Sequence, residues 1–190
     1  IMVRGPHVTP WYFDKFLEQP FKDGYLMTGD IGVLTDEGSL IIYGRKKEII
    51  KTSYGKCVYT AKIEGMLREL PKVTESLLLG ESKPYCTALL WVESKNYKPS
   101  VLSKIDEAMN EVNKQLSNPE KIKRWAVLPN NLSIENGELT PNLKLKRNVT
   151  AVKNQKIIDA LYNPDVSESD GQGLAYFGSS QVDDSATLMG

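Results

Sequence analysis

Apolar and polar positions change their spacing several times along the chain, and each change predicts an element. Residues 24–43 are spaced as strands: "GYLMTGD" leads into "IGVLTDEGSLIIYG", where the polar "TDEG" separates two apolar arms and predicts a hairpin. From Thr60 to Leu70 the period lengthens. Ile63, Leu67 and Leu70 recur at helical intervals, Thr60 suits an N-cap, and Pro71 stops the helix. Two short strands follow, "TESLLLG" and "CTALLWVE", joined by the turn-rich "ESKPY". Pro99 then opens a helix on which Val101, Ile105, Met109, Val112 and Leu116 make one stripe. "KRWAVL" predicts another strand, "NNLSIENGELTPN" a loop, and the stretch from about Leu145 to Leu161 a last helix.

Short strands interspersed with helices from residue 46 onward predict an α+β fold: a small three-stranded-sheet domain with flanking helices, over 45–163. Residues 1–44 read as a β-rich strip of a larger domain, with the joint near Gly44–Lys47. The chain opens with "IMVRGP", inside a strand pattern and without an initiator methionine, so it is expected to be a fragment of something longer. Beyond Pro164 the composition turns to Ser, Asp and Gly with isolated apolar residues, and 164–190 is expected to form a polar, mobile tail.

Composition narrows the partners. Lys plus Arg equals Asp plus Glu, 24 each, so no global field attracts nucleic acid or an anionic membrane, and anion binding must be local. Locally the balance differs: Arg45, Lys46, Lys47, Lys51 and Lys56 crowd into a twelve-residue stretch just after Asp30. No apolar run approaches the ~20 residues that span a bilayer. No signal-peptide pattern accompanies the two cysteines, Cys57 and Cys86, so reduced thiols and a cytoplasmic setting are expected. A lone histidine, His7, excludes a multi-histidine metal site.

Taken singly, the polar candidates have bland readings. An Asp after Thr-Gly is most often a turn residue, Arg45 a solvated cation, and "KLKR" the exposed start of a helix. Together they say more. "GYLMTGDIGVLTDEGSLIIYGRKKEIIK" resembles the late core motifs of the adenylate-forming superfamily (acyl-CoA synthetases, luciferases and peptide-synthetase adenylation domains). "GELTPNLKLKR" is similar to the terminal lysine motif of its long-chain fatty acyl-CoA synthetase branch. The likeness covers residues 1–162, and the pair "TGD" and "GRKKEIIK", in order and correctly spaced, carries it.

The resemblance implies roles. Asp30 would accept hydrogen bonds from the ribose hydroxyls of ATP, as an acceptor-only carboxylate can. Arg45 would reach the ribose and phosphates with a guanidinium charged at any working pH. Lys47 matches the hinge, next to the permissive Gly44. Lys51 and "TSYGK" match the face where the thioester forms. There Gly55 would let the pantetheine arm pass close to backbone, and Lys56 could meet a phosphate of CoA or simply be solvated. Lys144 matches the catalytic lysine, with Lys146 as fallback. Most of the superfamily has glycine just before this lysine, and this chain has Leu143. Cys57 has no histidine near it in sequence and reads as structural, since the family uses the CoA sulfur.

A lysine fits the chemistry the family performs. A carboxylate must attack an already anionic α-phosphate, and two unit charges 4 Å apart repel by about 4 kcal/mol at an effective dielectric near 20. A positioned ammonium offsets that repulsion. The implied substrates are a fatty acid, ATP and CoA, with Mg²⁺ arriving on ATP and its ligands outside this segment. The implied partner is the protein's own large N-terminal domain. Peripheral membrane association of the longer protein is compatible with the sequence but not encoded in it. The family's Gly/Ser/Thr-rich phosphate loop does not occur here, so the isolated chain is expected to be inactive. Two alternatives stay open: an adenylating enzyme for another carboxylic acid, and a non-catalytic interaction module on the same scaffold.

Overall fold

A computed structural model describes residues 1–11, 20–163 and 175–180. The chain divides into two compact units, Ile1–Ile49 with Tyr59–Lys62, and Ile50–Val58 with Ile63–Gly190. The first unit runs a few residues past the joint expected at Gly44–Lys47.

In the first unit, β1 (Met2–Val3), β2 (Phe21–Lys22) and β3 (Tyr25–Met27) form a small antiparallel sheet in the order β1-β3-β2. The predicted hairpin follows as β4 (Asp30–Leu34) and β5 (Leu40–Arg45). Its "TDEG" turn is closed by Thr35, whose carbonyl accepts from Gly38 N at 2.9 Å and whose hydroxyl accepts from Ser39 N at 3.1 Å. A two-stranded ribbon cannot cover its own apolar side chains. Leu34, Leu40, Ile41 and Ile42 are accordingly exposed. A 3₁₀ turn, Lys46–Glu48, ends the unit's main run.

The next elements are the short strands β6 (Ile49–Lys51) and β7 (Cys57–Tyr59), paired as a ribbon, and helix α1 (Thr60–Arg68). Ile63 and Leu67 are fully buried, as their spacing requires. Thr60 is not the N-cap the sequence suggested. It is already helical, and its buried hydroxyl has no hydrogen-bond partner among the described residues.

The second unit is built on one sheet. Strands β8 (Val73–Leu79) and β9 (Cys86–Val92) pair antiparallel. Helix α2 (Pro99–Lys114), with Pro99 in its first turn, then carries the chain to β10 (Ile122–Pro129), which lies parallel to β9. A parallel pair needs such a crossover, and a strand covered on both faces reads as a continuous apolar run. All seven residues of β9 are buried. One core cluster joins Ile63, Leu67, Leu90, Ile105, Met109 and Trp125, from α1, α2 and the sheet. The other joins Leu77, Leu89, Trp91, Ile158, Leu161 and Phe177.

Two expectations need correcting. The last helix is two helices, α3 (Arg147–Lys153) and α4 (Gln155–Tyr162), separated by Asn154 at φ −102°, ψ 19°. Asn154 Nδ2 donates to Thr150 O at 2.9 Å, the local side-chain bond by which Asn competes with helix continuation. The stretch 164–190 is also not all polar tail. Residues 176–179 form β11 (Tyr176–Ser179), antiparallel to β10, so the sheet has four strands in the order β8-β9-β10-β11. Residues 164–174 and 181–190 lie outside the described residues. Phe177 enters the core, and the Asp106 carboxylate on α2 accepts from Trp125 Nε1 at 2.9 Å and from the Tyr176 hydroxyl.

Candidate functional site

In the first unit, strand register brings the nucleotide candidates together. Asp30 and Arg45 are cross-strand partners at the open end of the β4–β5 hairpin. Arg45 Nε donates to Asp30 Oδ1 at 3.1 Å. The turn role expected for an Asp after Thr-Gly falls instead to Thr28, whose hydroxyl accepts from Asp30 N at 3.0 Å. Gly29 is left-handed (φ +78°) and its carbonyl accepts from Lys46 N at 2.8 Å, which draws the cationic turn to the same end. The Asp30 carboxylate is therefore held by a mostly exposed guanidinium, with lone pairs left for further donors. Lys47 is exposed in the 3₁₀ turn after it, and His7 is exposed away from any described acid or base partner.

In the second unit the two lysine-bearing segments are each pinned by backbone bonds. Thr52 is buried and organises the turn 52–56: its hydroxyl accepts from Lys56 N at 3.2 Å and its carbonyl from Gly55 N at 2.9 Å. Gly55 has φ +73°, a conformation that a residue with a Cβ adopts only at a cost. Lys51 and Lys56 are exposed on either side, and no acidic side chain pairs with either among the described residues. Cys57 is exposed on β7 and does not fill the buried structural place expected of it. Cys86 fills that place, and burial pushes its thiol up to about 11.

Lys144 lies on a tight loop. Thr140 N donates to Lys144 O at 2.8 Å, and Lys144 N returns a bond to the Thr140 hydroxyl at 3.0 Å. Leu139 and Leu145 bridge below them, and Lys146 N donates to Glu138 O at 2.7 Å. Within this loop Leu143 is left-handed, at φ +57°. The one position where the resemblance calls for glycine is thus a position whose backbone favours glycine. Lys144 is exposed and has no ion-pair partner among the described residues, which leaves its ammonium free for an anion.

Sequence reasoning missed what holds this loop. Arg147 Nη1 donates to Glu64 Oε1, and its Nη2 donates to Leu78 O at 2.9 Å. Glu64, on α1, also accepts from Leu78 N at 2.7 Å. Burial raises the Glu64 pKa, opposed chiefly by the neighbouring Arg147 charge. A Glu on the polar edge of an amphipathic helix and an Arg in "KLKR" carry no local sign that they will meet 83 residues apart. A cavity of about 680 Å³, lined by Trp91, Leu128, Glu138, Lys153 and Phe177 among others, contains none of the predicted site residues.

The model of the AMP-binding enzyme C-terminal domain matches residues 47–165 of this sequence. The chain belongs to that family. Among known proteins it is 33% identical over 185 residues to the long-chain-fatty-acid–CoA ligase FadD15 of Mycobacterium tuberculosis, covering 86% of this chain and 31% of that one. The o-succinylbenzoate CoA synthetase (MenE) of Bacillus subtilis, solved with the acyl-adenylate intermediate OSB-AMP, is 27% identical at a TM-score of 0.61 over 77% of this chain and 29% of that one. The adenylation domain of a carboxylate reductase from Mycobacterium chelonae shares the fold, with a TM-score of 0.66 at 23% identity over 75% of this chain and 24% of that one. This AMP-binding enzyme C-terminal domain and its flanking strip thus span about a third of the length of FadD15. Strand β11 lies beyond the matched residues.

Proposed function

We propose that this chain is the C-terminal part of an AMP-forming long-chain fatty acid–CoA ligase. The observation that carries the reading is the Lys144 loop: an unpaired ammonium on a backbone pinned at Thr140, Glu138 and Arg147. Such a group can be presented to an anion with little reorganisation, as electrostatic stabilisation of a charged transition state requires. Likeness to FadD15 favours a long-chain fatty acid as the substrate.

In this reading Asp30 accepts from the ribose hydroxyls and Arg45 lies against the phosphates. Lys144 offsets the repulsion between the acyl carboxylate and the α-phosphate while the phosphoanhydride breaks and pyrophosphate leaves. Its ammonium keeps its protons throughout. The domain then turns about Lys47 and presents the face from Lys51 to Lys56, where the CoA thiolate attacks the acyl carbonyl and AMP departs. Each closure shuts water out of a labile mixed anhydride. Magnesium enters with ATP, and the fatty acid pocket belongs to the large domain. The exposed apolar side chains of the β4–β5 hairpin suit a strip covered by that domain. A cytoplasmic setting, where ATP and CoA are available, completes the proposal.

The test separates the half-reactions in the full-length ligase. Lys144→Ala is expected to lower fatty-acid-dependent ATP–pyrophosphate exchange by roughly 100-fold to 1,000-fold, the usual cost of losing one such donor. It should spare thioester formation from supplied acyl-adenylate. Lys51→Ala is expected to do the reverse. Equal losses in both assays for both variants would overturn the two-face reading, and no dependence on fatty acid in either assay would overturn the substrate.

A further inference from the structure

The turn at 80–85 is attached to the Lys51 segment by three backbone bonds. Lys51 N donates to Glu81 Oε2 at 2.9 Å, Ser82 N donates to Lys51 O at 2.9 Å, and Ser53 N donates to Lys83 O at 2.9 Å. The turn itself is tight: Lys83 N donates to Gly80 O at 3.0 Å, and Ser82 is left-handed at φ +55°. A segment tied at three points along 51–53 moves with that segment as one body.

Lys83 stands out on this turn. Its Nζ lies 4.8 Å from the centre of the Tyr162 ring, and no acidic side chain pairs with it among the described residues. The ring is itself fixed. Tyr162 Oη accepts from the Thr87 hydroxyl at 3.0 Å and donates to Tyr85 O at 3.3 Å, and the Tyr85 and Tyr162 rings pack with centroids 5.2 Å apart. An aromatic face orients a cation without neutralising it, so the full charge of Lys83 stays available. Three cations, Lys51, Lys56 and Lys83, thus share one hydrogen-bonded patch with a single carboxylate. That carboxylate, Glu81, is engaged by the Lys51 amide.

We propose that the turn 80–85 is a second wall of the thioester face and that Lys83 takes a phosphate of CoA. The proposal rests on the reading of Lys51 to Lys56 as that face. It assigns a CoA-binding role to a lysine that lies more than twenty residues beyond the motif carrying the resemblance. The shared chemistry is a phosphate monoester or diphosphate, and CoA carries both.

The experiment uses the full-length ligase with Lys83→Met, Lys83→Arg and Lys51→Ala, and with CoA, dephospho-CoA and pantetheine as thiol substrates. Lys83→Met should raise KM for CoA about tenfold, the size of one charge-assisted hydrogen bond lost. It should leave pyrophosphate exchange, the melting temperature and the KM for phosphate-free pantetheine unchanged, and Lys83→Arg should restore CoA binding. A penalty that persists with dephospho-CoA assigns the diphosphate, and one that vanishes assigns the 3′-phosphate. An unchanged KM for CoA in Lys83→Met, or an equal rise for pantetheine, would overturn the proposal. If Lys51→Ala then impairs thioester formation, the face reading survives alone. If Lys51→Ala is silent too, both fall.

Discussion

Glu64 and Arg147 form a buried ion pair, completed by the backbone of Leu78, that anchors the end of the Lys144 loop to α1 and β8. The carboxylate side chain is 9% exposed and the guanidinium 27%. Removing one partner of such a pair strands the other charge, which costs about 3–5 kcal/mol in buried settings. Arg147→Met is therefore expected to lower stability by several kcal/mol in this range, whereas a distant surface substitution such as Lys104→Met should stay within about 0.5 kcal/mol. Urea denaturation of the 190-residue chain measures both.

The same pair sets a pH dependence with a definite sign. Burial raises the Glu64 pKa above 4.5, so the folded chain holds that proton more tightly than the unfolded chain. The stability this contributes is complete below 4.5 and is lost as pH rises through the folded-state value. The difference in urea midpoint between wild type and Glu64→Gln should change across that window in this direction. A carboxyl resonance for Glu64 that titrates below 4.5 would contradict it.

Leu143 occupies a left-handed backbone position, where a side chain costs about 1–2 kcal/mol. Leu143→Gly relieves that cost but widens the unfolded ensemble, so its stability should stay within about 1 kcal/mol of wild type. Leu143→Val, stiff at χ1, should destabilise the loop further, and its rate of pyrophosphate exchange in the full-length ligase should drop.

Gly178 lets β11 lie against the indole of Trp125. A Cβ there would fall 2.2 Å from Trp125 Nε1 and 2.7 Å from Asp106 Oδ1, and both atoms are fixed by their mutual hydrogen bond. Gly178→Ala is expected to cost about 1–3 kcal/mol, the usual penalty of overpacking. It should also raise amide exchange along Arg124–Val127, the residues paired with β11.

Cys57 is exposed and Cys86 is buried with its thiol pKa pushed up to about 11. Thiolate is the reactive species. One equivalent of a thiol-specific reagent should therefore react promptly with the native 190-residue chain, and the second only after denaturation. Two fast equivalents in the native chain would contradict the burial of Cys86.

Much of this protein was legible locally. The hairpin at 30–45, the α2 stripe and the strands at 73–92 follow from residue spacing, because each depends on contacts within a few residues along the chain. The motif residues Asp30, Arg45, Lys51 and Lys144 were legible for the same reason: short segments fix their spacing and their residue types. What escaped was decided across distance. Tyr176–Ser179 looks like part of a polar tail until β10 supplies an open edge, Trp125 and Asp106 supply partners for Tyr176, and the core admits Phe177. Thr60 resembles a cap until the helix begins at it, and the last helix looks continuous until Asn154 bonds back to Thr150. The bond from Arg147 to Glu64 and the seat of Lys83 on Tyr162 have no signature in spacing, since their partners lie 83 and 79 positions away and only the packed sheet brings them within reach. Periodicity reports which side of an element is buried, whereas a charge's partner is set by the fold that closes around it.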